Sequence, residues 1–208
     1  MRQDSPQPLP RSFYIREAPL VAQELLGCLL LRRLDGELVG GVIVETEAYL
    51  GEGDPGSHAS RGPTQRTAPM WEIGGTAYVY RIYGIHYCLN FVTGLAGIAQ
   101  AVLVRALEPT YGVDVLRARR GRADLRDLTS GPGKLCQALA VDLSLNRADL
   151  THGDLFVAAR PEPSLPIGPI IATTRIGLPQ GQGDDVPLRF YLANSTCVSR
   201  RDRAAEQR

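Results

Sequence analysis

Hydrophobic positions in this chain come in short runs and alternations, broken by glycine and proline, and predict a succession of short elements. Leu20, Leu25 and Leu26 recur at helical spacing, so residues 17–26 predict a helix that Gly27 stops. An apolar run then reaches Arg33, and Asp35-Gly36 separates it from a second run over residues 38–44. Asp-Gly between two such runs predicts a tight hairpin. Residues 51–75 are rich in Gly, Pro, Ser and Thr without a sustained period, and loops of that length inside a domain are usually functional or mobile. Residues 76–92 predict a second hairpin turning near Gly84, and residues 101–107 a third apolar strand. Pro109 predicts the start of a helix through about residue 120, and Ser130-Gly131-Pro132-Gly133-Lys134 another that runs through Leu139. Residues 155–158, 170–174 and 188–192 predict strands. The mixture is α+β with a largely antiparallel sheet.

Composition narrows this picture. A chain of 208 residues suffices for one domain with a core, and no repeat or linker divides it. The expected layout is a flexible tail over residues 1–11, one domain over 12–200 and a charged tail over 201–208. The longest apolar run, residues 25–31, is too short to span a bilayer, and the N-terminus lacks the apolar segment of a signal peptide. An intracellular protein that does not engage membranes is expected. Four cysteines lie far apart with no CxxC pair, which favours reduced, packed thiols. Net charge is only +1, but arginines cluster at 117, 119, 120, 122 and 126 and again at 61, 66 and 81. Lys134 is the sole lysine.

The chemistry-bearing residues follow the hairpins. Along a strand through Val44-Glu45-Thr46-Glu47-Ala48-Tyr49, Glu45 and Glu47 share a face. Such carboxylates suit acid–base work or a metal, or they line a wet strand edge. Tyr78 and Tyr80 share another face, either packed in the sheet or forming a stacking platform for a flat ring. Tyr83 abuts Gly84 at the expected hairpin tip, where a ring has little core to join. Arg105 lies in an apolar strand and needs an acid partner if buried, whether Glu108, Glu47 or another. Asn90 needs partners for the same reason. Ser130-Gly131-Pro132-Gly133-Lys134 has the makings of an anion cradle or of an ordinary helix start. No HExxH-like spacing joins the three histidines to the acids.

Taken in order, these segments resemble the alkyladenine (3-methyladenine) DNA glycosylase family. The matching pieces are Val44-Glu45-Thr46-Glu47-Ala48-Tyr49-Leu50 with His58, Tyr78-Val79-Tyr80-Arg81-Ile82-Tyr83-Gly84 with Cys88-Leu89-Asn90, and Val104-Arg105-Ala106-Leu107-Glu108-Pro109. The stretch from Ser130 to Leu139 and Pro187-Leu188-Arg189-Phe190-Tyr191 complete the set. The resemblance implies a curved sheet with surrounding helices and a protruding hairpin wedge. It implies a monofunctional glycosylase, with no cofactor or metal, that acts as a monomer on duplex DNA containing damaged purines. Glu47 would be the general base that polarises water, with Arg105 and the Ile176 backbone carbonyl helping to hold it. Tyr49, His58, Tyr80 and Met70 would bound the base pocket, and Asn90 would disfavour normal guanine. Tyr83 would be the wedge, with Ile85, Arg81 and Lys134 as further DNA contacts. A damage-binding module without turnover is the alternative, but it would have little use for a carboxylate in the pocket. Trp71, Gly74 and His86 depart from the family's usual Phe, Pro and second aromatic at those places.

Overall fold

A computed structural model of the chain describes residues 5–160 and 167–207, so the ends of both expected tails, residues 1–4 and 208, lie outside it. In chain order the elements are α1 (Arg11–Tyr14), α2 (Ala18–Glu24), β1 (Leu29–Leu34), β2 (Glu37–Tyr49), β3 (Ala77–Ile82), β4 (His86–Thr93) and β5 (Gln100–Tyr111). Then come α3 (Val113–Arg120), α4 (Leu125–Thr129), α5 (Pro132–Ala138), β6 (Leu155–Ala158), β7 (Ile170–Thr173) and β8 (Arg189–Leu192). The strands form one sheet in the order β3-β4-β5-β2-β1-β6, with β8 joining β2 and β7 joining β8. Every pairing is antiparallel. The fold is α+β in a single domain.

The long strand β2 organises the sheet. One of its edges carries β5 along most of its length, and the other is shared, β1 taking residues 37–42 and β8 taking 45–47. Alternation then sorts its side chains. Val44 and Ala48 join the main core, and the Thr46 hydroxyl donates to the Ala22 carbonyl of α2 at 2.8 Å. Glu45, Glu47 and Tyr49 therefore face away from the helices. On β3–β5 the same rule sends Val79, Leu89, Phe91, Val102 and Val104 into the core, and Tyr78, Tyr80, Asn90, Leu103 and Arg105 to the opposite face.

Two register shifts bracket Glu45. Ile43 pairs with Leu107, Glu45 with Ala106 and Thr46 with Val104, so Val44 is extra on β2 and Arg105 is extra on β5. Bulges of this kind bend a sheet and re-aim the bulged side chain. The bulge at Arg105 also lets both Ala106 and Leu107 reach the core.

The expected helix start at Pro109 is overturned. β5 runs on to Tyr111, the chain turns at Gly112 with φ 55°, and α3 begins only at Val113. Pro109 opposes Gly41, and a third register shift leaves Thr110 without a partner. A Cβ on Gly41 would fall 2.0 Å from the Glu108 carbonyl oxygen. A proline with no N–H is tolerated beside such an irregularity, and the long pairing with β2 outweighs its preference for a helix start. The first hairpin is as expected: Asp35 (φ 49°) and Gly36 (φ 86°) link paired Leu34 and Glu37. Beyond the bounds expected for the domain, the Leu9 N–H donates to the Val157 carbonyl at 2.7 Å, and the Tyr191 hydroxyl donates to Glu206 at 2.6 Å.

Candidate active site

Both acids on the outer face of β2 are fully buried, and their partners differ. Glu45 Oε1 accepts from Arg105 Nε at 3.1 Å and from Arg189 Nη1 at 3.0 Å, while its Oε2 accepts from the Ser199 N–H at 2.6 Å. Glu47 Oε1 accepts from the Ile176 N–H at 2.7 Å. Its Oε2 accepts from the Tyr49 hydroxyl at 2.9 Å and lies 3.2 Å from Arg105 Nη1. The bulged Arg105 thus spans both carboxylates, whereas Glu108 binds Ser195 instead. Burial alone would lower the pKa of Arg105, but Glu47 and Glu45 together raise it, so the guanidinium stays charged.

Tyr49, Arg105 and Ile176, which contact the Glu47 carboxylate, line a cavity of about 190 Å³. That is below the few hundred Å³ of a drug-sized pocket and suits one small ring system. His58 Nδ1 is 3.1 Å from the Tyr78 hydroxyl, and its ring lies edge-on to Tyr80 with centroids 4.6 Å apart. Tyr78 and Tyr80 are tilted neighbours at 5.3 Å. Burial pushes the Tyr78 hydroxyl up to about 12 and raises those of Tyr49 and Tyr80, so all three rings are neutral at physiological pH. Desolvation, and then the Arg66 charge, lower the pKa of His58. The Asn90 amide donates to the Tyr78 carbonyl at 3.0 Å, its place across the β3–β4 pair. Met70, buried on a 3₁₀ turn over Ala68–Trp71, packs with Tyr78, Val92 and Ala101 at the back of the cavity. The Gly74 departure has a steric reason, since a Cβ there would meet the Tyr14 carbonyl oxygen at 2.6 Å.

A second buried pair anchors the cavity and was not singled out from the sequence. Arg175 donates to both Asp54 oxygens at 2.6 and 2.7 Å and to the Ala48 carbonyl at 3.1 Å, with its guanidinium 4.8 Å from the centre of the Tyr49 ring. Neither acid–base spacing nor periodicity marks residues 121 positions apart. The one available signal was the aspartate among the glycines of the loop, where Asp54 also accepts from the Leu50 and Gly56 N–H groups.

The remaining expected residues lie at the surface. Tyr83, 86% exposed, and Ile85 form the tip between β3 and β4. Tyr83 has φ 51° and Gly84 φ 74°, a pair of left-handed conformations typical of a tight hairpin. Arg81 is exposed on β3 across from Tyr87. Lys134 Nζ is held by Ser130 Oγ at 3.2 Å and lies 3.5 Å from Asp127. The arginine cluster on α3 is engaged internally: Arg119 donates to the Ala138 carbonyl at 3.1 Å and Arg120 to that of Leu128 at 3.0 Å. Among the described residues no group of three or more His, Cys, Asp or Glu is arranged to hold a metal, and no helix is long and apolar enough to cross a membrane.

Comparison with known proteins gives this geometry a family. The model of the methylpurine-DNA glycosylase family matches residues 12–196. A relative from Carboxydothermus hydrogenoformans, assigned by name to the 3-methyladenine DNA glycosylases, is 50% identical over 193 residues, which cover 93% of this chain and 99% of the relative. Relatives of the same name from Methanoculleus marisnigri and Nitrobacter winogradskyi are 50% and 44% identical, covering 93% and 96% of this chain and 99% and 90% of their own. Matched over residues 12–196 by that model and over 93% of its length by relatives 50% identical to it, the chain belongs to the methylpurine-DNA glycosylase family.

Proposed function

We propose that the protein is a monofunctional DNA glycosylase of base excision repair that flips damaged purines from duplex DNA and hydrolyses their N-glycosidic bond. The observation that carries this reading is the Glu47–Arg105 pair directly behind a tyrosine-walled cavity of base size. A base inside a duplex is out of reach, and extruding it costs a few kcal/mol, less at a damaged pair. Tyr83 is exposed and held in a left-handed backbone, suited to fill the vacated gap, with Ile85, Arg81 and Lys134 contacting the flanking DNA. A cationic purine such as 3-methyladenine or 7-methylguanine gains about 0.5–2 kcal/mol from stacking on the rings of Tyr49 and Tyr80. Hypoxanthine and ethenoadenine share the shape without the charge. The Tyr78 carbonyl orients Asn90, whose amide disfavours normal guanine.

A carboxylate offers about four acceptor positions. The Tyr49 hydroxyl donates to Oε2, which Arg105 also faces as an ion-pair partner, and the Ile176 N–H takes one position on Oε1. Among the described residues Oε1 has this one donor, and in this reading the attacking water takes its second acceptor position with the Ile176 carbonyl as its other partner. Glu47 takes the proton of that water and faces the positive charge that develops on the sugar. The only lysine is tied to Ser130 and is not among the residues lining the cavity, which favours water over an amine as the nucleophile. The enzyme works as an intracellular monomer.

The test is single-turnover base release from lesion duplexes by the wild type and by Glu47→Gln. The variant should lose roughly 10²-fold or more, the lower bound of a general base's contribution, and borohydride should trap no covalent adduct with the wild type. Release at the wild-type rate by Glu47→Gln, or a strong adduct, would sink the reading.

A further inference from the structure

Glu45 has no part in the chemistry proposed above, yet three separate segments donate to it: β5 through Arg105, β8 through Arg189, and the chain after β8 through the Ser199 N–H. Arg189 is itself fixed, its Nε donating to the Thr174 carbonyl and its Nη1 to that of Arg200, each at 2.8 Å. The position of Glu45 is therefore over-determined, and the bulge brings Arg105 to it. An arginine beside a single carboxylate prefers a bidentate fork that covers both oxygens. Here Arg105 spends its Nε hydrogen bond on Glu45 and meets Glu47 in an ion-pair contact, Nη1 to Oε2 at 3.2 Å. Its Nη2 points to Ser199 Oγ at 3.4 Å.

We propose that Glu45 is a positioning residue that keeps Arg105 monodentate on Glu47, so that Glu47 Oε1 retains the acceptor position the water needs. This rests on the reading of Glu47 as the base. Without the Glu45 carboxylate, Arg105 turns into a fork with Glu47 and closes that position. The net charge of the cluster follows the same design, with two carboxylates set against Arg105 and Arg189.

The experiment compares single-turnover release of hypoxanthine and duplex affinity in the wild type, E45Q, R105K and the double variant, with enzyme in excess so that the rate does not depend on the active fraction. E45Q should slow release about 10- to 100-fold, the scale on which a displacement of roughly 1 Å in a catalytic group is felt, with duplex affinity held within roughly twofold. A lysine cannot fork, so in the R105K background E45Q should cost no more than about twofold. A folded E45Q that releases base at the wild-type rate, or that loses as much in the R105K background as alone, overturns the proposal. If E45Q does not fold, E45D is judged by the same two outcomes, because its shorter arm cannot hold Arg105, Arg189 and the Ser199 N–H together. Failure of the base reading is separate: it would appear as wild-type release by E47Q, whatever E45Q does.

Discussion

At the residue scale, the site depends on which groups are charged and which are not. His58 lies against Tyr78 and Tyr80, and desolvation and then Arg66 hold its pKa below the usual 6.5. A lowered histidine favours the neutral form in the folded protein. Its contribution to stability is complete above the unfolded value of about 6.5 and is lost as pH falls from there through the folded value. An NMR titration of the His58 ring should give a midpoint below 6.5, and affinity for a duplex carrying 7-methylguanine should weaken over the same interval, as a second cation enters the pocket. A midpoint at or above 6.5 would contradict this account. The sequence carried the residue types of this site but not their division of labour. Alternation put Glu45 and Glu47 on one face, yet only the two bulges show why Arg105 reaches both, and bulges leave no periodic mark.

At the element scale, the β3–β4 hairpin was legible because aromatic and branched residues alternate around a glycine, and the observed turn sits where that pattern breaks. Pro109 was misleading because a local preference yielded to non-local pairing with β2. The hairpin tip carries a local conformational cost at an exposed ring. A left-handed conformation at a non-glycine residue costs roughly 1–2 kcal/mol, and Tyr83 adopts one at φ 51° while 86% exposed. Strain kept at so exposed a residue points to a functional demand on the side chain. Tyr83→Gly should therefore leave the melting temperature unchanged or raise it, since relief of strain offsets the roughly 0.5–1 kcal/mol entropic cost of a glycine. The same variant should bind lesion duplex more weakly and extrude the base less, as fluorescence of a reporter base beside the lesion would register. A clear drop in melting temperature with full DNA binding would make Tyr83 a structural residue instead.

At the scale of the whole molecule, the arginines clustered from residue 117 are partly engaged in capping carbonyls, while the ion pair that joins distant segments left in the sequence no mark beyond an aspartate among glycines. Asp54 belongs to the loop that carries His58, and Arg175 immediately precedes Ile176, whose N–H holds Glu47. Their bond therefore ties the loop of His58 to the segment that holds Glu47, with the Arg175 guanidinium over the Tyr49 ring. The pair is sealed from solvent: a Cβ on Gly56 or Gly183 would meet Arg175 at 2.9 or 2.6 Å. Removing one partner of a buried pair costs about 3–5 kcal/mol, and an asparagine, which keeps one acceptor oxygen, favours the lower figure. Asp54→Asn should thus lower the melting temperature by on the order of 10 °C for a chain of this size, and slow base release by loosening Tyr49 and Ile176 together. Burial by itself would raise the pKa of Asp54, but the Arg175 guanidinium and the N–H groups of Leu50 and Gly56 lower it below the usual 3.8. The carboxylate's contribution is accordingly complete above about pH 3.8 and is lost as pH falls through the lower folded value. Calorimetry should therefore find the gap between wild type and variant constant from neutral pH down to about 4 and narrowing only in stronger acid. A gap already closing near pH 6 would mean that the stability difference comes from a group other than Asp54.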